Sequence, residues 1–110
     1  MTTSASKGLF ITFEGPEGSG KSTHIGRLAD WLREQGRDVL ATREPGGSGL
    51  GEELRRLIKH YEGPDPVCDE AELLLFGACR AQLMRRVVLP HLAKDGVVLC
   101  DRFADSTTVY

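Results

Sequence analysis

The sequence predicts an α/β fold in which helices flank a parallel β-sheet. Short apolar strands alternate with longer amphipathic helices along the 110 residues, and this alternation is typical of parallel strands joined by helical crossovers. The apolar runs are nearly continuous, as expected of strands that are buried on both faces. The length is that of one domain, and no linker divides the chain.

The first strand and the first helix flank a glycine-rich turn. Leu9–Phe13 is apolar and rich in β-formers, so it is predicted as a buried strand that ends at Glu14-Gly15. Lys21–Gln35 is predicted as an amphipathic helix that Gly36 ends. The inward face of this helix consists of Ile25, Leu28, Ala29 and Leu32.

The middle of the chain predicts a second strand, a loop and a second helix. Val39–Ala41 is the strand, and Arg43–Gly49 is predicted as a loop because it contains three glycines and a proline. Leu50–His60 is predicted as a helix, followed by a turn-rich connection over Glu62–Asp69. The inward face of this helix is expected to be Leu50, Leu54, Leu57 and Ile58.

The last third predicts a long helix and a third strand. The helix is expected to run over Glu70–Arg86, and Pro90 forces a kink or a fresh helix start. Val97–Cys100 is the third apolar strand and ends at Asp101.

Composition excludes several functional classes. The 14 Lys and Arg against 16 Asp and Glu give a net charge of −2, without the cationic surplus of a nucleic-acid or membrane-surface binder. The three cysteines form no C-x-x-C pair, which favours reduced thiols in a cytoplasmic protein. Met1–Lys7 lacks the apolar region of a signal peptide and is expected to be a disordered lead-in to one domain over residues 8–110.

The turn after the first strand matches the phosphate-loop pattern G-x-x-x-x-G-K-[ST]. Its glycines let backbone N–H groups converge on an anion, and the following helix adds the positive end of its dipole. The alternative is a chance glycine-rich turn, but the position between a buried strand and an amphipathic helix favours phosphate binding. The predicted phosphate-binding residues are Gly15, Pro16, Glu17, Gly18, Ser19, Gly20, Lys21, Ser22 and Thr23.

Three side chains near this loop suit a magnesium nucleotide. Lys21 can reach the outer phosphates, and the hydroxyl of Ser22 can bind Mg²⁺. Asp101, at the end of the third strand, is a second candidate Mg²⁺ ligand, directly or through water. Its alternative role is that of a helix or turn cap.

Four segments, FEGPEGSGKST, TREPGGSGLGEELR, ELLLFGACRAQ and LCDRFADSTTVY, together resemble the opening half of bacterial-type thymidylate kinases. The resemblance covers nearly all of Leu9–Tyr110. It implies the P-loop nucleoside monophosphate kinase fold, with three strands present and the remainder, including the lid, missing. It also implies transfer of the γ-phosphoryl group of ATP to dTMP with Mg²⁺, giving dTDP and ADP, by a homodimer.

The resemblance assigns Arg43 and Arg102 to the acceptor phosphate, and Lys21 and Arg102 to catalysis. A guanidinium suits this because its fork can pair two oxygens, although arginines in ordinary surface ion pairs are common. The acceptor oxygen is already anionic at pH 7, so the reaction needs positioning and cations rather than a general base. The resemblance also allows a cis peptide bond before Pro45.

The resemblance further assigns residues to the nucleoside. Glu17 would meet the 3′-hydroxyl of the deoxyribose, Phe76 would stack on thymine, and Arg80 would donate to a base oxygen. Thr107 and Tyr110 match positions near the base edge and the sugar. From the residues alone, Phe76 is predicted as a core aromatic, which is the commoner case, and Glu17 as a solvent-exposed carboxylate.

Some positions depart from the family pattern. Cys79 stands where the family usually has an acidic residue, and Leu83 where a histidine often appears. Phe103 stands where a tyrosine or histidine is usual. These departures leave the nucleobase specificity open. The phosphate loop lacks the arginine of one family branch, so the catalytic arginine is expected in a later lid. Two alternatives therefore remain: another small-molecule kinase of this fold, and a nucleotide-binding remnant without turnover.

Overall fold

The fold is described for residues 8–16 and 20–103 in a computed structural model of the chain. Three strands, β1 (Leu9–Gly15), β2 (Val39–Glu44) and β3 (Val97–Phe103), form one parallel sheet in the spatial order β1-β3-β2. Helices connect the strands. The predicted α/β fold with a three-stranded parallel sheet is therefore confirmed.

The third strand lies at the centre of this sheet. Leu9 and Val39 both pair with Val97, and the register continues to the ends of the strands. Val97–Cys100 is fully buried, which explains why its sequence is continuously apolar. On the edge strand β1, Leu9 and Phe10 remain 44% and 37% exposed.

Helix α1 (Lys21–Glu34) covers one face of the sheet; it begins at the predicted residue and ends one residue before the predicted Gln35. Gly36 has φ 86°, the left-handed conformation expected after a helix end. Three of the four predicted inward residues are buried, and Leu28 is partly buried against the same cluster. This cluster consists of Ile25, Ala29, Leu32, Val39, Val97 and Leu99.

A second apolar cluster covers the opposite face. It consists of Leu83, Val88, Val98 and Cys100. Val98 and Cys100 alternate along β3 with the residues that face α1, as side chains of a strand do. The helical residues come from α3 (Asp69–Leu83) and a π-helical segment over Met84–Val88, followed by α4 (Leu89–Ala93).

Two predicted strand ends are wrong. β2 continues to Glu44 instead of Ala41, so Arg43 lies in a strand rather than in the predicted loop. β3 continues to Phe103, so Asp101 and Arg102 lie within it rather than at or past its end. Backbone pairing does not require apolar side chains, so the ladder extends into polar residues that the apolar pattern excluded.

Helix α2 (Gly49–His60) forms as predicted. The prediction of which residues face inward is partly wrong. Leu50 and Leu57 are 49% and 48% exposed, whereas Leu54 and Ile58 are half-buried. α2 packs chiefly against α3 rather than over the sheet, so a narrower part of its surface is covered. Its start is capped by the Ser48 hydroxyl, which accepts the Gly51 N–H at 2.9 Å.

The helix predicted over Glu70–Arg86 is α3 together with part of the π-helical segment, so the regular α-helix ends earlier than predicted. At Pro90, where a kink or a fresh helix start is predicted, the chain stays helical: Val88 and Leu89 are in right-handed helical conformation, and the proline lies in the first turn of α4 directly after the π-helical segment. Among the described residues, no helix has the length and apolar character needed to cross a membrane.

Candidate nucleotide-binding site

The predicted site residues gather at the carboxyl edge of the sheet. Parallel register places Glu14, Arg102 and Glu44 side by side on β1, β3 and β2. The same edge of open α/β sheets is where ligands bind. Two residues that are distant in sequence from the phosphate loop, Arg43 and Arg102, are thereby brought close to it.

Lys21 is the first residue of α1 and is only 9% exposed. Its ammonium donates to the carbonyl oxygen of Gly15 at 2.6 Å and to that of Arg102 at 3.4 Å. Asp101 Oδ1 lies 2.6 Å from the same nitrogen. The lysine therefore links the end of β1, the start of α1 and the end of β3.

The start of α1 is suited to an anion. Gly20 adopts φ 83°, which favours glycine, and the described part of the helix start has neither a side-chain cap nor an acidic residue in its first turn. N–H groups at such a helix start are available to phosphate oxygens, aided by the helix dipole. The predicted residues Glu17, Gly18 and Ser19 lie outside the described residues.

Asp101 has the features of a ligand for a hard cation. Its Oδ1 is buried and, within the described ranges, accepts no hydrogen bond of good geometry even though the Lys21 ammonium is close. Ser22 is exposed and lines the same cavity as Asp101. The described residues hold no cluster of three or more His, Cys, Asp or Glu suited to a metal. Two oxygen ligands fit Mg²⁺ that shares phosphate oxygens, but not a cage built by the protein alone.

A cleft of about 480 Å³ joins these residues to the predicted acceptor side. Its lining includes Ser22 and Asp101 together with Arg43 and Glu52. This volume is within the range of small-molecule sites. The structure thus brings the predicted Mg²⁺ ligands and one predicted phosphate-binding arginine to a single space.

Arg43 is held by a carboxylate that sequence reasoning missed. Its guanidinium donates from Nε to Glu52 Oε2 at 3.1 Å and from Nη2 to Glu52 Oε1 at 2.5 Å. Glu52 Oε2 also accepts the Gly47 N–H at 2.7 Å. The hydrogen bond from Arg43, followed by that from Gly47, lowers the pKa of Glu52 to about 2. The only feature of the sequence that could have indicated this pair is that Glu52 is an acidic residue in the first turn of α2.

The loop between β2 and α2 contains a cis peptide bond and a glycine with positive φ. The Glu44–Pro45 bond is cis, as the resemblance allowed. Gly47 has φ 82°, and a Cβ there would lie 2.9 Å from the Arg43 carbonyl oxygen and 2.8 Å from Leu83 Cδ1. Arg55 closes the loop by donating to the Pro45 carbonyl oxygen at 2.7 Å.

Arg80 and Arg102 meet through Glu44. Arg80 Nε donates to Glu44 Oε1 at 2.8 Å, and Arg102 Nε lies 3.6 Å from Glu44 Oε2. Arg102 Nη1 also pairs with Glu14 Oε2 at 3.1 Å. The thiol of Cys100 lies 3.6 Å from Glu44 Oε2, and burial, followed by the charge of Glu44, raises the pKa of this thiol to about 12.

Phe76 is half-buried on α3, one turn before the exposed Arg80. Of the positions that depart from the family pattern, Cys79 is buried with Sγ 3.7 Å from the Gly51 carbonyl oxygen, and Leu83 is in the core. The side chains of Cys79 and Leu83 therefore pack against neighbouring elements of the fold. The predicted residues Thr107 and Tyr110, and the side chain of Phe103, lie outside the described residues.

Comparison with known proteins agrees with this geometry. A family model described as thymidylate kinase matches residues 13–110. The thymidylate kinase of Ectopseudomonas mendocina is 55% identical over 103 residues, which cover 94% of this chain and 49% of that protein. That of Protochlamydia amoebophila is 49% identical over 110 residues, covering 100% of this chain and 49% of that protein.

The fold is also that of a solved thymidylate kinase. The crystal structure of the enzyme from Ehrlichia chaffeensis aligns with a TM-score of 0.76 and 41% identity, covering 88% of this chain and 55% of that one. The predicted P-loop kinase fold is therefore confirmed. The chain spans about half the length of the curated relatives it matches. Because the family model covers most of its residues, the chain belongs to the thymidylate kinase family.

Proposed function

We propose that the gene product containing this chain transfers the γ-phosphoryl group of ATP to dTMP, giving ADP and dTDP. The observation that carries the proposal is the contact of the phosphate-loop Lys21 with the strand that presents Arg102. In this contact the Lys21 ammonium, proposed for the donor phosphates, meets the main-chain carbonyl oxygen of Arg102, whose guanidinium is proposed for the acceptor phosphate. In the proposal, residues 8–110 are the first part of a single kinase domain.

On the donor side, the start of α1 and Lys21 bind the phosphates of ATP. Ser22 and Asp101 would hold Mg²⁺, which supplies charge neutralisation at the phosphates when it is bound. The Lys21 ammonium lies 2.6 Å from Asp101, and in the proposal it stabilises the negative charge that moves between the two nucleotides during transfer. The predicted ATP contacts of residues 15–23 remain part of this proposal.

On the acceptor side, Arg43 and Arg102 hold the phosphate of dTMP. Each guanidinium is already oriented by a carboxylate, Glu52 for the first and Glu14 for the second. Orientation reduces the freedom that binding would otherwise remove, so the two phosphates can be aligned for in-line transfer. Arg80 and Phe76 contact the base, and Glu17, Thr107 and Tyr110 keep their predicted nucleoside contacts.

The proposal includes a cytoplasmic homodimer that forms through helices. Leu50 and Leu57 on α2, with Leu73 and Leu74 on α3, are large apolar side chains that are 48% to 74% exposed. α2 and α3 pack against each other, so these exposed side chains belong to one pair of helices. Burial of such a surface between two subunits would stabilise a dimer.

The experiment is a coupled assay of ADP release by the full-length gene product with ATP and Mg²⁺. We expect turnover with dTMP in preference to dUMP, dCMP or AMP. Turnover only with a nucleotide other than dTMP would assign the chain to another kinase of this fold. Absence of turnover with all four would favour a nucleotide-binding protein without this activity.

Replacement of Arg102 tests the acceptor site. Arg102→Lys removes the bidentate fork while keeping the charge, and it should lower kcat/KM for dTMP by roughly ten- to a hundredfold. Arg56→Lys is the matched control, because Arg56 forms an exposed pair with Glu53 on α2. An Arg102→Lys enzyme with the kcat/KM of its parent would contradict the assignment.

A further inference from the structure

Glu44 is an acidic side chain in a site that is proposed to bind two polyanions. Its side chain is only 12% exposed, and it lies at the carboxyl end of β2 beside the residues proposed for the acceptor. A carboxylate in this position repels phosphate and loses hydration. The proposed reaction has no step that needs it, so its presence requires a separate explanation.

The contacts of Glu44 supply one. Its Oε1 accepts from Arg80 Nε at 2.8 Å, and its Oε2 lies 3.6 Å from Arg102 Nε. The two arginines come from α3 and β3, and no local sequence pattern couples these elements. Both guanidinium groups lie within 3.6 Å of this one carboxylate, and without it two positive charges so close together would repel each other.

The pairing uses the nitrogen of each arginine that is nearest to the main chain. On Arg80, the only ion pair found among the described residues is this one through Nε. Arg102 uses Nε towards Glu44 and Nη1 towards Glu14. Both terminal nitrogens of Arg80 and Nη2 of Arg102 take part in no ion pair among the described residues, so their N–H groups can donate to a ligand.

We propose that Glu44 is a positioning residue that fixes Arg80 and Arg102 together so that one acceptor nucleotide meets both. Arg80 would serve the base end of the nucleotide and Arg102 its phosphate end. The inference rests on the proposed function for the identity of the acceptor. It adds that the spacing between these two contacts is set by a carboxylate on a third element, β2.

Replacement by glutamine separates positioning from simple charge. Glu44→Gln removes a negative charge close to an anionic ligand, so a purely electrostatic role predicts a lower KM for dTMP. Positioning predicts the opposite sign, because the amide holds the two guanidinium groups more weakly. We expect the KM for dTMP to rise about tenfold, with the KM for ATP within about twofold of the parent value.

The assay uses the full-length gene product at saturating ATP, with Glu53→Gln as the matched control on the exposed face of α2. Glu44→Asp retains the charge, so its KM for dTMP should lie between those of the parent and of Glu44→Gln. In an Arg80→Met background, Glu44→Gln should raise the KM by a smaller factor, because the two residues act as a pair. An unchanged or lower KM for dTMP in Glu44→Gln, or an equal rise in the KM for ATP, would overturn the proposal.

A measurement that does not depend on activity keeps the two proposals distinguishable. In ¹⁵N NMR spectra of the parent, the Nε–H protons of Arg80 and Arg102 should exchange with water more slowly than that of Arg56. Equal exchange at all three overturns the role of Glu44 whether or not dTMP is a substrate. If the parent prefers another nucleoside monophosphate, the KM comparison is made with that acceptor, and only the proposed function fails.

Discussion

The pair between Glu52 and Arg43 allows a prediction whose size and pH dependence both follow from the structure. The perturbation is Glu52→Gln, which removes the charge but keeps an oxygen that can accept the Gly47 N–H. In the parent, Arg43 donates twice to the carboxylate. The variant therefore loses the charge-assisted part of the interaction that joins β2, the following loop and α2.

The magnitude follows from the pKa of Glu52, which is lowered from 4.5 to about 2. A shift of this size in a fully buried group would stabilise the fold by about 3 kcal/mol. The side chains of Arg43 and Glu52 are 50% and 40% exposed, so solvent screening reduces the expected effect to about 1 kcal/mol. Because the folded pKa is the lower one, this stabilisation is complete above about pH 4.5 and is lost as pH falls towards 2.

The assay is urea unfolding of the full-length gene product and its variant between pH 7 and pH 3. At pH 7, Glu52→Gln should lower the free energy of unfolding by about 1 kcal/mol, and the difference from the parent should shrink below about pH 4.5. Glu53→Gln is the control, since Glu53 is 67% exposed and pairs with Arg56 at 3.3 Å. Equal stability of Glu52→Gln and parent at pH 7, or a difference that is the same at pH 7 and pH 3, would refute the reasoning.

Two further substitutions test the phosphate loop and the β2–α2 loop. Lys21→Met should abolish the thermal stabilisation that ATP with Mg²⁺ gives the parent, because the Lys21 ammonium is proposed to bind the phosphates; an undiminished shift would exclude that role. Gly47→Ala should lower the free energy of unfolding by about 1–3 kcal/mol, since φ is 82° and the Arg43 carbonyl oxygen is too close for a Cβ. Gly77→Ala, in a helix with open space around it, should instead stabilise by about 0.5–1 kcal/mol, and the opposite order in urea unfolding would contradict this account.

Features encoded locally were predictable from the sequence. The periodicity of Lys21–Gln35 and the glycine at position 36 predicted the start of α1 and, within one residue, its end, because amphipathic spacing and left-handed glycine are properties of neighbouring residues. The continuous apolar run Val97–Cys100 indicated a strand buried on both faces. The phosphate-loop pattern indicated the turn between β1 and α1, because this pattern too is made of neighbouring residues.

Features that depend on contacts between distant residues were not predictable. The apolar pattern ended β2 and β3 too early, since pairing with a neighbouring strand supports polar residues such as Arg43 and Arg102. The face of α2 could be drawn from its sequence, but the extent of its burial depends on α3. The carboxylates that orient the arginines, Glu44 and Glu52, have no local signature because their partners lie on other elements.

The charge arrangement suits the proposed binding of anions by a chain without a net positive charge. Each cation proposed to meet phosphate already faces a carboxylate, and the pairs are Lys21 with Asp101, Arg43 with Glu52, and Arg102 with Glu14 and Glu44. These 110 residues, with a net charge of −2, supply no surplus positive field to attract a nucleotide from a distance. Affinity must then come from donors whose orientation is fixed before the ligand arrives, because oriented donors lose little freedom on binding. Under the proposed function, the acidic residues of the site contribute to anion binding, since they set the geometry in which the cationic groups are presented.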